Sequence, residues 1–132
     1  MPGASRPSGV ELIAAERRRQ VEEEGYTAER DADLPDGSLS AAAVCYATDE
    51  PLYVRDEGAA SVMFKDPWPW DEGVDKRPCE GNVTLYRWKP VERLALLVKA
   101  GALIAAEIDL LQSRSYFDDP KTVLKCGGPE DE

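Results

Sequence analysis

The residue that does most acid–base chemistry in proteins is missing: the chain of 132 residues contains no histidine. That removes the commonest general base near neutral pH and the commonest transition-metal ligand. Ser-His-Asp and Cys-His nucleophiles are excluded outright. Catalysis would have to run on carboxylates, Lys, Tyr or a carboxylate-held magnesium ion. Glu16, Glu22, Glu23 and Glu24, with Glu107 and Asp109 downstream, invite magnesium-dependent nucleotide pyrophosphohydrolysis, which needs several carboxylates converging from two helices. The spacing argues against it. Residues two apart on a helix, as Glu107 and Asp109 are, do not face the same way, and no carboxylate lies between Ser40 and Thr48. Charge on a solvated helix end is the plainer reading of Glu22–Glu24.

A second constellation suits an anion. Arg87, Lys89, Arg93 and Lys99 stand against Glu92 alone. They surround the start of a helix, whose free amides and positive dipole end attract phosphate or carboxylate. Lys89 and Arg93, four apart, share a face. Trp88 stands beside them, and Trp68 and Trp70 could be brought close by a small sheet. Aromatic rings beside cations suit a nucleobase above a bound phosphate. Arg17, Gln20 and Tyr26 are added from the first helix. In the competing reading the tryptophans pack under the helix start and the cations pair with the abundant acids. No cofactor and no resident metal are implied by either.

The net charge of −10, from 26 acids and 16 bases, argues against binding a nucleic-acid backbone, which needs clustered cations. It permits a nucleic-acid mimic and is compatible with simple solubility. Cys45, Cys79 and Cys126 form no C-x-x-C pair, so free thiols are expected. No apolar run approaches the ~20 residues of a membrane span, and Met1–Ser5 lacks a signal-peptide pattern. A cytoplasmic setting is expected, that of the host cell if the chain is phage-encoded.

The expected fold is mainly α: three principal helices, with a small antiparallel β element or irregular insertion between the second and third. Residues 1–8, rich in Pro, Gly and Ser, are expected to be disordered, 9–114 to form a single domain, and 115–132 to be a flexible acidic tail. Ser8 and Glu11 predict a capping box and Gly25 a helix end. Residues 26–37 read as a polar loop. Ser38 or Ser40 is expected to cap a second helix through about Ala47. Breakers crowd residues 49–88, with β-prone pieces at Leu52–Arg55, Ser61–Phe64 and Asn82–Trp88, and Trp68-Pro69-Trp70 reads as a rigid loop.

Pro90 opens a last helix to about Ser113. Leu94, Leu97, Val98, Gly101, Ile104, Ala105, Ile108 and Leu111 recur at three-and-four spacing, the expected core face. Gly101 calls for a close contact, with Ala41–Ala43 the expected partner. Leu96, Leu103 and Leu110 repeat every seven residues and predict a homodimer seam; the alternative is a helix lying centrally within one chain.

Several strings together resemble a group of small bacteriophage-encoded proteins. They are Glu16-Arg17 with Gln20, Glu24-Gly25-Tyr26-Thr27, Asp36-Gly37-Ser38-Leu39 with Ala42, Ala43 and Tyr46, Trp68-Pro69-Trp70, Trp88-Lys89-Pro90, and Leu97–Ile104 with Ala106-Glu107-Ile108. The likeness covers roughly residues 11–111 and implies no firm activity; residues 51–66 and 72–87 look longer than the group's connections. The Gly25-Tyr26 step after a charged helix also resembles the RyR domain, which implies a ligand-binding module for a nucleotide-derived signal. The favoured expectation is therefore a non-catalytic phage-type protein that binds or sequesters a small nucleotide-like anion and forms a homodimer or higher oligomer. Its alternatives are the pyrophosphohydrolase and an acidic protein-binding inhibitor or DNA mimic.

Overall fold

Ser8 starts the first helix by reciprocal capping. Its hydroxyl accepts the Glu11 N–H at 3.1 Å and the Glu11 carboxylate accepts the Ser8 N–H at 2.9 Å, so two otherwise orphaned donors are satisfied. This helix, α1 (Gly9–Glu24), ends on Gly25 at φ 74°, in the left-handed region that glycine enters without a Cβ penalty. The computed structural model describes residues 5–57, 61–81 and 83–114, and the strand residues 124–125 and 128–129. Tyr116, Phe117, Cys126, the last acidic residues and the first four residues lie outside them.

The chain is mainly helical, with small antiparallel strand pairs. Within the segment read as a loop, Thr27 accepts the Arg30 N–H and opens a single turn, α2 (Ala28–Asp31). Helix α3 (Ser38–Ala47) follows Gly37, which sits at φ 79° as its N-cap. Neither Ser38 nor Ser40 caps it; the Ser40 hydroxyl donates to the Gly37 carbonyl instead. Strands β1 (Val54–Glu57) and β2 (Val62–Lys65) pair antiparallel, as do β3 (Cys79–Glu80) and β4 (Val83–Thr84). A 3-10 turn at Glu72–Val74 lies between the pairs. The alternating stretch read as a strand to Trp88 stops at Thr84. Arg87 takes φ 61°, a left-handed conformation costing about 1–2 kcal/mol. Asp49 holds it there: its carbonyl accepts the Arg87 N–H and its carboxylate the Trp88 N–H at 2.6 Å. Two short strands, β5 (Leu124–Lys125) and β6 (Gly128–Pro129), pair beyond the last helix.

Helix α4 (Pro90–Gln112) is the centre of the domain, and its core face is the reverse of the one its periodicity suggested. Leu96, Leu103 and Leu110 are buried inside the chain, with Ala100, Ala102 and Ala106. All of these but Ala102 form one cluster with Leu39, Ala42, Ala43 and Tyr46 of α3 and with Trp88. The three leucines predicted to form a homodimer seam thus belong to an intramolecular core. Leu94, Leu97, Ile104, Ile108 and Leu111 are substantially exposed; Leu103 is 3% accessible and its neighbour Ile104 49%. The physical reason is the alanines. They let α4 approach the equally small Ala42 and Ala43 closely, whereas on the line first expected to be core Leu94, Leu97, Ile104, Ile108 and Leu111 stand exposed and Gly101 meets Ile13 of α1 instead.

Gly101 makes its close contact with α1 rather than with Ala41–Ala43. A Cβ there would lie 2.5 Å from Ile13 Cδ1. Ile13 at Gly101 and Arg17 at Asp109 (3.2 Å) step along both helices together, so α1 and α4 run in the same general direction. Val10 and Ala14 of α1 are exposed. No helix among the described residues is long and apolar enough to cross a membrane.

Candidate functional site

The Trp68-Pro69-Trp70 loop is the hub around which the clefts form. Tyr46 packs on Trp68 with ring centres 5.2 Å apart, and Trp68 meets Trp70 edge-on at 5.6 Å. Behind them lies a residue the sequence did not single out. Arg77 is buried, and its guanidinium bonds Asp75 at 2.7 Å, Asp66 at 3.1 Å and the Tyr86 hydroxyl at 3.3 Å. It also lies 5.5 Å from the centre of the Trp68 ring. Burial opposes its charge, but the bonds to Asp75 and Asp66 outweigh burial and raise its pKa. Arg77 thereby ties the loop to the strand β4 side of the insertion. No spacing signal marks it, because its partners lie two, nine and eleven residues away with no regular element in common.

On the other side of Trp70 a narrow cleft of about 30 Å³ runs between α1, the loop and α4. Gln20, Tyr26, Tyr46, Trp70, Lys76 and Lys99 line it. It opens beside a wider groove of about 360 Å³ that shares Tyr26, Trp70 and Val74 and adds Arg30, Pro35, Pro69 and Asp71. The Arg30 guanidinium sits 4.6 Å over the Tyr26 ring. Tyr46 is satisfied: its hydroxyl donates to the Val74 carbonyl and accepts the Lys76 N–H at 3.0 Å. Two atoms of the cleft are not. Gln20 Oε1 and Trp70 Nε1 are buried and have no partner among the described residues. One is an acceptor and the other a donor. A buried polar atom left so costs about 1–3 kcal/mol, and native structures supply it with water or ligand.

Apart from Arg87, held in its left-handed turn, nine residues were singled out in the sequence for the anion site, and four of them meet: Gln20, Tyr26, Trp70 and Lys99. Trp68 supports the same loop. Arg17 stands behind, donating to the Tyr26 carbonyl at 2.8 Å while pairing with Asp109. The other three do not join them. Trp88 is buried beneath the start of α4, with its ring N–H on the Leu85 carbonyl, and with Arg93 it lines a separate groove of about 590 Å³ between the starts of α1 and α4. Arg93 donates to the Ala47 carbonyl, and Lys89 is exposed. At this helix start the tryptophan packs inward, and the Lys89 amide is taken by Glu92.

Electrostatically the cleft is mixed. Glu16 bonds Arg19 at 2.8 Å and Lys99 at 3.3 Å. The Arg19 bonds hold its carboxyl below the ordinary range, against the opposing effect of burial. Lys99 is thus half-neutralised, whereas the Lys76 ammonium has no ion pair among the described residues. Glu22 and Glu23 are solvated, and no group of three thiols or carboxylates among the described residues gathers closely enough to hold a metal. No protein-family model, curated protein or solved structure matches the chain.

Proposed function

We propose that this chain is a binding module for a small, flat, nucleotide-like anion, held at the junction of α1 with the Trp-Pro-Trp loop. The observation that carries the reading is two buried atoms without a partner among the described residues, the acceptor Gln20 Oε1 and the donor Trp70 Nε1, on residues that line the narrow cleft beside an aromatic-walled groove. A heteroaromatic ring with an N–H beside a carbonyl presents the complementary edge. Its flat body would lie in the wider groove against Tyr26, Pro69 and Trp70, and Arg30 and Lys76 would face its negative group. The site is distinct from the groove at the basic start of α4, which Trp88 and Arg93 line. In a phage such a module would sequester a nucleotide-derived host signal.

Calorimetry against linear and cyclic nucleotides and ADP-ribose tests the reading. At least one should bind tighter than millimolar. Trp70→Phe keeps an aromatic, though smaller, ring and removes the N–H, and Gln20→Leu removes the acceptor; each should weaken binding by about 1–3 kcal/mol, the cost of an unmatched polar group. Absence of binding across the panel, or affinity indifferent to both substitutions, sinks the proposal and favours an acidic protein-binding role.

A further inference from the structure

A second, separate pocket of about 270 Å³ lies at the other end of the helix pair, between the start of α3 and the end of α4. Unpaired groups of both polarities line it. Helix α3 has no side-chain cap, and the N–H groups of Leu39, which lines the pocket, and of its neighbour Ser40 have no partner among the described residues. These are the orphan donors of a helix N-terminus. Ser38 is only 5% exposed, and its hydroxyl is buried without a partner. Across the pocket stands Arg114, whose guanidinium has no ion pair among the described residues. Together they form an arc of donors of the kind that receives a carboxylate or phosphate.

An anion alone does not fit the remaining wall. Glu107 also lines the pocket, and its Oε1 is buried with no partner. Asp36 stands at the rim. These carboxylates would repel a simple anion and would welcome an ammonium group close to it. Leu34, Leu110 and Leu111 supply apolar walls. We propose that the pocket binds a free α-amino acid as its zwitterion. The carboxylate lies on the Leu39 amide, the Ser38 hydroxyl and Arg114. The ammonium group donates to Glu107 and Asp36, and an aliphatic side chain rests on the leucines. The volume is just below the range of about 300–1,000 Å³ typical of drug-sized ligands, which suits a smaller molecule. Pro35 borders both pockets, but none of the groups assigned here to the amino acid lines the nucleotide-like site, so the two proposals stand or fall separately.

The test is calorimetry of the full chain with L-leucine, L-valine and L-alanine, alongside N-acetyl-leucine, leucinamide and inorganic phosphate. The free amino acid should bind with Kd below a millimolar. N-acetyl-leucine, which lacks the ammonium group, and leucinamide, which lacks the carboxylate, should each bind at least tenfold more weakly. Ser38→Ala and Glu107→Gln should weaken L-leucine similarly with the helical circular dichroism preserved, and Trp70→Phe should leave it unchanged. Arg114→Gln, at the helix end, serves should either of the first two variants fail to fold. Phosphate or N-acetyl-leucine binding as tightly as L-leucine overturns the zwitterion, and no binding by any of the amino acids overturns the site.

Discussion

Replacing Gly101 with alanine sets two effects of opposite sign against each other at the crossing of α1 and α4. In a helix interior alanine is favoured over glycine by about 1 kcal/mol. Here the new methyl would lie 2.5 Å from Ile13 Cδ1 and 2.8 Å from Ile13 Cγ1. Real Cβ atoms do not approach so closely, and Ile13 is β-branched, with little rotamer freedom in a helix to turn aside. Overpacking of this kind costs about 1–3 kcal/mol. The expected net effect of Gly101→Ala is therefore a destabilisation of about 0–2 kcal/mol, against the direction that helix propensity alone gives. Truncating the obstacle should reverse the sign. In an Ile13→Ala background the same Gly101→Ala change should stabilise by about 1 kcal/mol, because propensity acts unopposed. Urea unfolding followed by far-UV circular dichroism on the four proteins of the cycle measures both values. Equal effects of Gly101→Ala in the two backgrounds would refute the crossing at Gly101, as would stabilisation of the parent chain by that change.

Leu103→Ala should cost about 2–5 kcal/mol by the cavity it leaves, whereas Ile108→Ala on the exposed face should cost well under half of that; similar losses in denaturant titrations would contradict the orientation of α4. Because the folded Glu16 carboxyl titrates below its ordinary value of 4.5, its contribution to stability is present above that value and is lost as pH falls through the folded pKa. Glu16→Gln should flatten the acid limb of stability against pH, and an unchanged limb would mean that the Arg19 and Lys99 pairing contributes nothing. Cys45 is fully buried and burial pushes its thiol up to about 11, so a Cys79→Ser, Cys126→Ser variant should resist a thiol-selective reagent at pH 8 and react only on unfolding. Rapid reaction of the native variant would show that the α3 core opens.

Local chemistry was legible in the residues themselves. Ser8 with Glu11, Gly25 and Pro90 mark helix ends because capping depends on neighbours three or four residues away. The mainly helical character follows from the same short-range signals and from apolar recurrence along α4. Missing histidine likewise restricts chemistry whatever the fold. The orientation of α4 was not legible, because apolar residues surround most of that helix and periodicity cannot say which line is covered. Only the docking of Ala100 and Ala106 against Ala42 and Ala43 decided it, a matter of how closely two backbones approach. The left-handed Arg87 and the burial of Trp88 rest on Asp49, a residue from a distant segment, and the Arg77 cluster likewise joins residues that no local pattern connects. The meeting of Gln20 with Trp70, fifty positions apart in the chain, and of Ser38 with Glu107, belongs to tertiary structure for the same reason. An unpaired buried donor or acceptor is defined by everything that surrounds it, and a sequence lists its polar groups without showing which of them remain unmatched.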